Sequence, residues 1–75
     1  MAKPTFDGLK AEVAMRAEES GVVPNVINLG GVQYTLDVPP ELKVDMMGAV
    51  RNPARLDDLL DRVAFVGTDG TRIQG

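Results

Sequence analysis

Val26-Ile27-Asn28-Leu29-Gly30-Gly31-Val32-Gln33-Tyr34-Thr35-Leu36-Asp37-Val38 is the stretch that decides the fold. Past the glycine pair the residues alternate strictly. Val32, Tyr34, Leu36 and Val38 fall on one side, Gln33, Thr35 and Asp37 on the other. Period two is the signature of a half-buried strand. A Gly-Gly pair tolerates the positive φ angles of a two-residue primed turn. That turn sets the register: Leu29 opposes Val32, and Ile27 opposes Tyr34. Opposed residues share a face, so Ile27, Leu29, Val32, Tyr34 and Leu36 converge on one side of a β-hairpin. Turn chemistry and alternation point independently to the same structure.

Upstream of the hairpin, Phe6, Leu9, Val13 and Ala17 recur at steps of three and four, one helical stripe. Thr5 or Asp7 supplies the N-cap, and Gly21 suits the left-handed position after the helix. Lys10, Glu12, Arg16 and Glu19 are assigned to the opposite, wet side, with Glu12 and Arg16 forming an i,i+4 pair. Downstream, Pro39-Pro40 ends the second strand, and Pro40 is suited to the first position of a helix. That helix carries Leu42, Met46, Ala49 and Val50 on one stripe. Asn52-Pro53 restarts the chain as cap and N1. The third helix puts Leu56, Leu59, Leu60 and Val63 on one face and Arg55, Asp58, Asp61 and Arg62 in water, Asp58 pairing with Arg62. Val63-Ala64-Phe65-Val66 fits either a helix end or a strand. Gly67-Thr68-Asp69-Gly70 reads as a turn and Thr71-Arg72-Ile73 as a short returning strand.

The expected fold is α+β in a single small domain, residues 1–75. Its parts are a helix over 5–20, a two-stranded antiparallel hairpin over 25–38, short helices over 40–50 and 53–64, and an extended tail over 65–75. The expected core is Ile27, Leu29, Tyr34, Leu36, Leu56, Leu59 and Leu60.

Composition excludes more than it assigns. The 75 residues contain no Cys and no His, so there is no disulfide framework, Cys/His zinc site, cysteine nucleophile or histidine base. Ser20 is the one serine and no base is signalled for it. A chain this short is expected to lack room for a pocket of several hundred Å³. No catalytic residue and no cofactor are expected. Asp57, Asp58 and Asp61 are the densest acidic group, but neighbours on a helix diverge and Arg55 and Arg62 interleave, so no metal site is expected. Gly67-Thr68-Asp69-Gly70 spells GxxG, yet a nucleic-acid clamp of that form is basic, and this one carries Asp69. Eight basic and eleven acidic residues give a net charge of −3, with no basic cluster to neutralise phosphates. Nucleic acid is therefore not an expected partner. Nor is a membrane: no apolar run approaches the roughly 18 residues that span one, and Met1 to Phe6 lacks an apolar signal core. The expected location is a cytoplasm.

Without disulfide or metal, so small a core is marginal, which favours self-association or docking onto a larger subunit. The hairpin leaves a strand edge, Val32 to Val38 or Val26 to Leu29, with no lysine between Pro24 and Pro39 to protect it. Val26, Val32 and Val38, with Met46 and Met47 straddling the second helix, are the residues expected at such a contact.

Phe6-Asp7-Gly8-Leu9-Lys10-Ala11-Glu12, together with the run from Val26 to Leu36, resembles the opening of the tail assembly chaperones of actinobacterial phages over residues 6–50. The resemblance implies a protein that binds a tape-measure or tail-tube subunit, in a host cytoplasm or a virion. Two other readings follow from size and element order. One is a capsid or tail accessory subunit retained in the particle. The other is a small dimeric nucleic-acid regulator of the swapped-hairpin type, which would carry a basic surface.

Overall fold

The computed structural model describes residues 5–75; Met1 to Pro4, part of the stretch read as lacking a signal core, lie outside the described residues. The chain forms α1 (Phe6–Ser20), β1 (Val26–Leu29), β2 (Val32–Asp37), α2 (Pro40–Gly48), α3 (Pro53–Leu60), β3 (Ala64–Gly67) and β4 (Arg72–Ile73). The α+β expectation holds. No helix among the described residues is long and apolar enough to cross a membrane.

The hairpin forms in the register that the glycine turn dictates, with Ile27 opposite Tyr34 and Leu29 opposite Val32. Gly30 and Gly31 take φ of 61° and 80°, a left-handed pair that L side chains adopt at a cost. Thr5 caps α1 through its hydroxyl, which accepts from the Gly8 amide, and Asn52 caps α3 by accepting from Arg55.

The larger finding is a four-stranded antiparallel sheet in the order β1-β2-β3-β4, with α2 and α3 inserted between β2 and β3. Residues 65–75, read as extended with a short returning strand, are extended as most of β3 and as β4, and they join the hairpin in one sheet. β3 pairs along β2, with Leu36 opposite Phe65 and Asp37 opposite Ala64, and β4 closes on β3. α3 stops at Leu60 rather than at 64. Val63 is buried after the helix has ended, and Ala64 already belongs to the sheet. α2 ends at Gly48, where a helix interior is disfavoured, and a turn over 49–51 leads to the Asn52 cap.

All three helices contribute to one core on one face of the sheet. Leu9, Val13 and Ala17 of α1, Leu42 and Met46 of α2, and Leu56, Leu59 and Leu60 of α3 meet Ile27, Tyr34, Leu36 and Phe65. The Phe6 and Phe65 rings pack edge to face at 5.7 Å. Of the expected core residues, only Leu29 stays partly exposed. Gly67 lets β3 lie close to the core: a Cβ there would stand 3.1 Å from the Tyr34 ring.

Lys10 overturns its assignment to the wet side. It is 8% exposed, its ammonium donates to Asp61, and Asp57 lies at 3.2 Å. Asp61 thus faces α1 as well as solvent. Asp57 on α3 and Asp61, the residue that follows its last turn, are four apart and converge on the lysine, which joins α1 to the end of α3. Asp58 and Arg62 make no ion pair among the described residues, whereas Glu12 and Arg16 do, at 3.1 Å.

Candidate functional site

Where α1 ends at Ser20, its stop is a left-handed Gly21, and the chain then crosses to β1 through Val22, Val23, Pro24 and Asn25. Pro24 cannot donate to a ladder, so regular pairing with β2 begins at Asn25, whose carbonyl accepts from the Leu36 amide at 2.9 Å. β2 continues past that point to Asp37, and Val38 follows it before Pro39-Pro40 turns the chain into α2. The crossing loop, the end of β2 and α2 therefore enclose a cleft of about 560 Å³. A pocket of this size was not expected from so short a chain. It exists because it is open, built between elements rather than inside the core.

Its lining is mostly apolar: Val22, Val23, Val38, Met46, Met47 and Val50, with Pro24. Met46 is buried and forms part of the wall shared with the core, while Met47 is 75% exposed and Val22 63% exposed at the mouth. Val44, one helical step along α2 from Met47, is also exposed. Large apolar side chains left in water at adjacent positions mark a contact surface more often than isolated ones do. The polar groups of the cleft are Asn25, Thr35, Asp37 and Lys43. Asp37 is held by Arg72 of β4 at 3.2 Å. Lys43 makes no ion pair among the described residues and leaves a positive charge beside the apolar lining. Such a lining suits an apolar side chain with a carboxylate nearby.

Val38, Met46 and Met47 are brought together here. Val26 sits just outside the cleft, exposed on β1, and Val32 turns into the core side of the sheet, partly buried. Sequence reasoning missed Val22 and Val23. The signal was present: an apolar pair with no place in any periodic stripe, between a helix stop and a proline.

Among the described residues, two groups elsewhere titrate away from their ordinary values. The Lys10 ammonium is held above 10.5, first by its hydrogen bond to Asp61 and then by Asp57, against the opposing pull of burial. Asp69 in the β3–β4 turn is held below 3.8, chiefly because it accepts the Thr71 amide at 3.0 Å. That turn closes on itself, with the Gly67 amide donating to the Thr71 carbonyl, which accounts for the GxxG spelling. No group of three or more carboxylates lies close enough to hold a metal ion among the described residues. No protein-family model, no curated protein and no solved structure matches the chain.

Proposed function

We propose that this chain is a non-enzymatic interaction protein that seats an apolar segment of a larger structural subunit in the cleft formed by residues 21–25, the end of β2 and α2. The observation that carries the reading is the exposure of Met47 and Val22 at the mouth of a cleft walled by Met46, Val38 and Val50. Methionine is flexible and polarisable and adapts to the shape of an incoming side chain. Burying one large apolar side chain stabilises a complex by about 1.5–3 kcal/mol before association costs. Lys43 favours a partner segment carrying an acidic residue next to its apolar anchor. The resemblance of residues 6–50 to phage tail assembly chaperones supports a tape-measure or tail-tube subunit as that partner, and hence a role in virion assembly.

The test is a photo-crosslinking residue in place of Met47, and separately of Glu18 on α1, in the chain co-expressed with tape-measure and tail-tube subunits. Crosslinking to one such subunit from position 47 and not from 18, reduced by Lys43→Glu, is the expected result. Equal labelling from both positions, or none from 47, overturns the reading.

A further inference from the structure

β1 is an outer strand of the sheet, and among the described residues its only strand neighbour is β2. Bonded and non-bonded residue pairs alternate along an antiparallel ladder. The bond from the Leu36 amide to the Asn25 carbonyl fixes which are which. Asn25, Ile27 and Leu29 turn their backbone groups towards β2, and Val26 and Asn28 turn theirs outwards. The amides and carbonyls of Val26 and Asn28 have no backbone partner among the described residues. An edge with unpaired groups is a template for another strand.

We propose that this edge pairs antiparallel with β1 of a second copy, about a twofold axis through Ile27. Val26 of each copy then exchanges both backbone hydrogen bonds with Asn28 of the other. The two four-stranded sheets become one continuous sheet, with Ile27 facing its own copy on the core side. Charge selects a second copy over a foreign strand. A twofold axis sets Ile27 against its own image and leaves Val26 and Asn28 each diagonal to its own, about 7–8 Å away, so a charged residue on this edge repels its own image. The chain has a net charge of −3 and 25% charged residues, yet positions 20–36 contain no Asp, Glu, Lys or Arg. It is the longest uncharged stretch in the chain and contains the whole exposed edge. Natural edges are commonly blocked by lysine, proline or a bulge; here Pro24 stands before the strand and none of these interrupts it. Apolar Val26, half in water on the open face, is covered by the same pairing. The inference stands apart from the cleft, since no residue of β1 lines it.

The experiment compares wild type with Asn28→Lys, whose side chain lies on the exposed face and whose amide does not pair with β2. Light scattering after size exclusion at tens of micromolar is expected to give twice the chain mass for wild type and the single-chain mass for the variant, with the same far-ultraviolet spectrum and a melting temperature that, unlike that of wild type, does not rise with concentration. Should Asn28→Lys fail to fold, Val26→Lys places the same charge on the same exposed face. Hydrogen exchange adds a positional readout. The Val26 and Asn28 amides are expected to exchange roughly tenfold or more slowly in wild type, and the Val26 amide to lose that protection in Asn28→Lys. A monomeric wild type overturns the proposal. So does a dimer that survives Asn28→Lys with a freely exchanging Val26 amide, because its interface then lies elsewhere.

Discussion

The β1–β2 hairpin and the β3–β4 pair lie in one sheet, each closed by a glycine-containing turn, yet they are specified in different ways. β1–β2 is written locally. Two glycines at positive φ set the register, and β2 alternates between core and solvent because one face of the sheet is open. β3 has no such alternation: Ala64, Phe65 and Gly67 are all buried and Val66 is partly buried. β4 is two residues long. What places β3 is the open side of β2, from which α2 and α3 separate it in the sequence. Local turn chemistry thus specifies the first pair, and non-local burial specifies the second.

The sharpest way to break this contrast is Phe65→Ala. Phe65 is fully buried, sits opposite Leu36 and Ile73, and packs edge-on against Phe6. Removing a buried Phe side chain costs about 3–5 kcal/mol, comparable to the net stability of a core this small. The variant is expected to be unfolded at 25 °C by circular dichroism, hairpin included, since an isolated two-stranded hairpin is marginal in water. Cooperative melting close to wild type would mean that β3 and β4 are appendages. Leu60→Ala, at another fully buried site, is expected to cost about 2–5 kcal/mol by the same mechanism.

A smaller effect belongs to the first turn. Gly31→Val puts a β-branched residue at a φ of 80°, a conformation that costs L residues about 1–2 kcal/mol. No neighbour lies within 4 Å of the added Cβ, so the loss is conformational. The expected result is a lowered urea midpoint with an unchanged slope. A changed slope would report a slipped register, which exposes the hairpin's apolar face.

These differences explain what was legible in the sequence. The hairpin, both caps and the stripes of α1 and α3 could be read because each depends on residues within a few positions of one another. Val63-Ala64-Phe65-Val66 could not, since a short continuous apolar run carries no period and fits a helix end or a buried strand equally. Lys10 was misplaced because Asp57 and Asp61 stand 47 and 51 positions away, and no local rule pairs them. Its i,i+7 spacing to Ala17, and the i,i+4 spacing of the two aspartates, were the available hints. The cleft was invisible for the same reason: its loop, strand end and helix meet only in three dimensions.

Lys10 is where α1 grips the C-terminal half, and its titration tests that grip. A raised folded pKa means that the contribution is complete below the unfolded value of 10.5 and is lost as pH rises through the folded pKa. Asp57 and Asp61 are more than half exposed, so the neutral-pH loss in Lys10→Met is expected to stay below about 1 kcal/mol. The clearer readout is the difference between the two proteins. Above pH 10.5 their stabilities are expected to converge. Parallel curves through that range would show that the ammonium does not hold the two helices.

The weakest effect separates the two turns by acid. Asp69 accepts the Thr71 amide, and its folded pKa lies below 3.8. For a depressed carboxylate the stabilisation is present above the unfolded value and is lost as pH falls through the folded one. The Gly30-Gly31 turn contains no ionisable group. Acidification below pH 3.8 is therefore expected to loosen the β3–β4 turn ahead of the β1–β2 turn. Amide exchange reads this directly. The Gly67 amide, bonded to the Thr71 carbonyl across that turn, is expected to lose protection before the amides of β2 do. In Asp69→Asn, which keeps an acceptor but does not titrate there, the difference between the turns should no longer depend on pH. If acid opens both turns together in wild type, the two strand pairs unfold as one unit at that pH, and the C-terminal pair is held by the sheet rather than by its own turn.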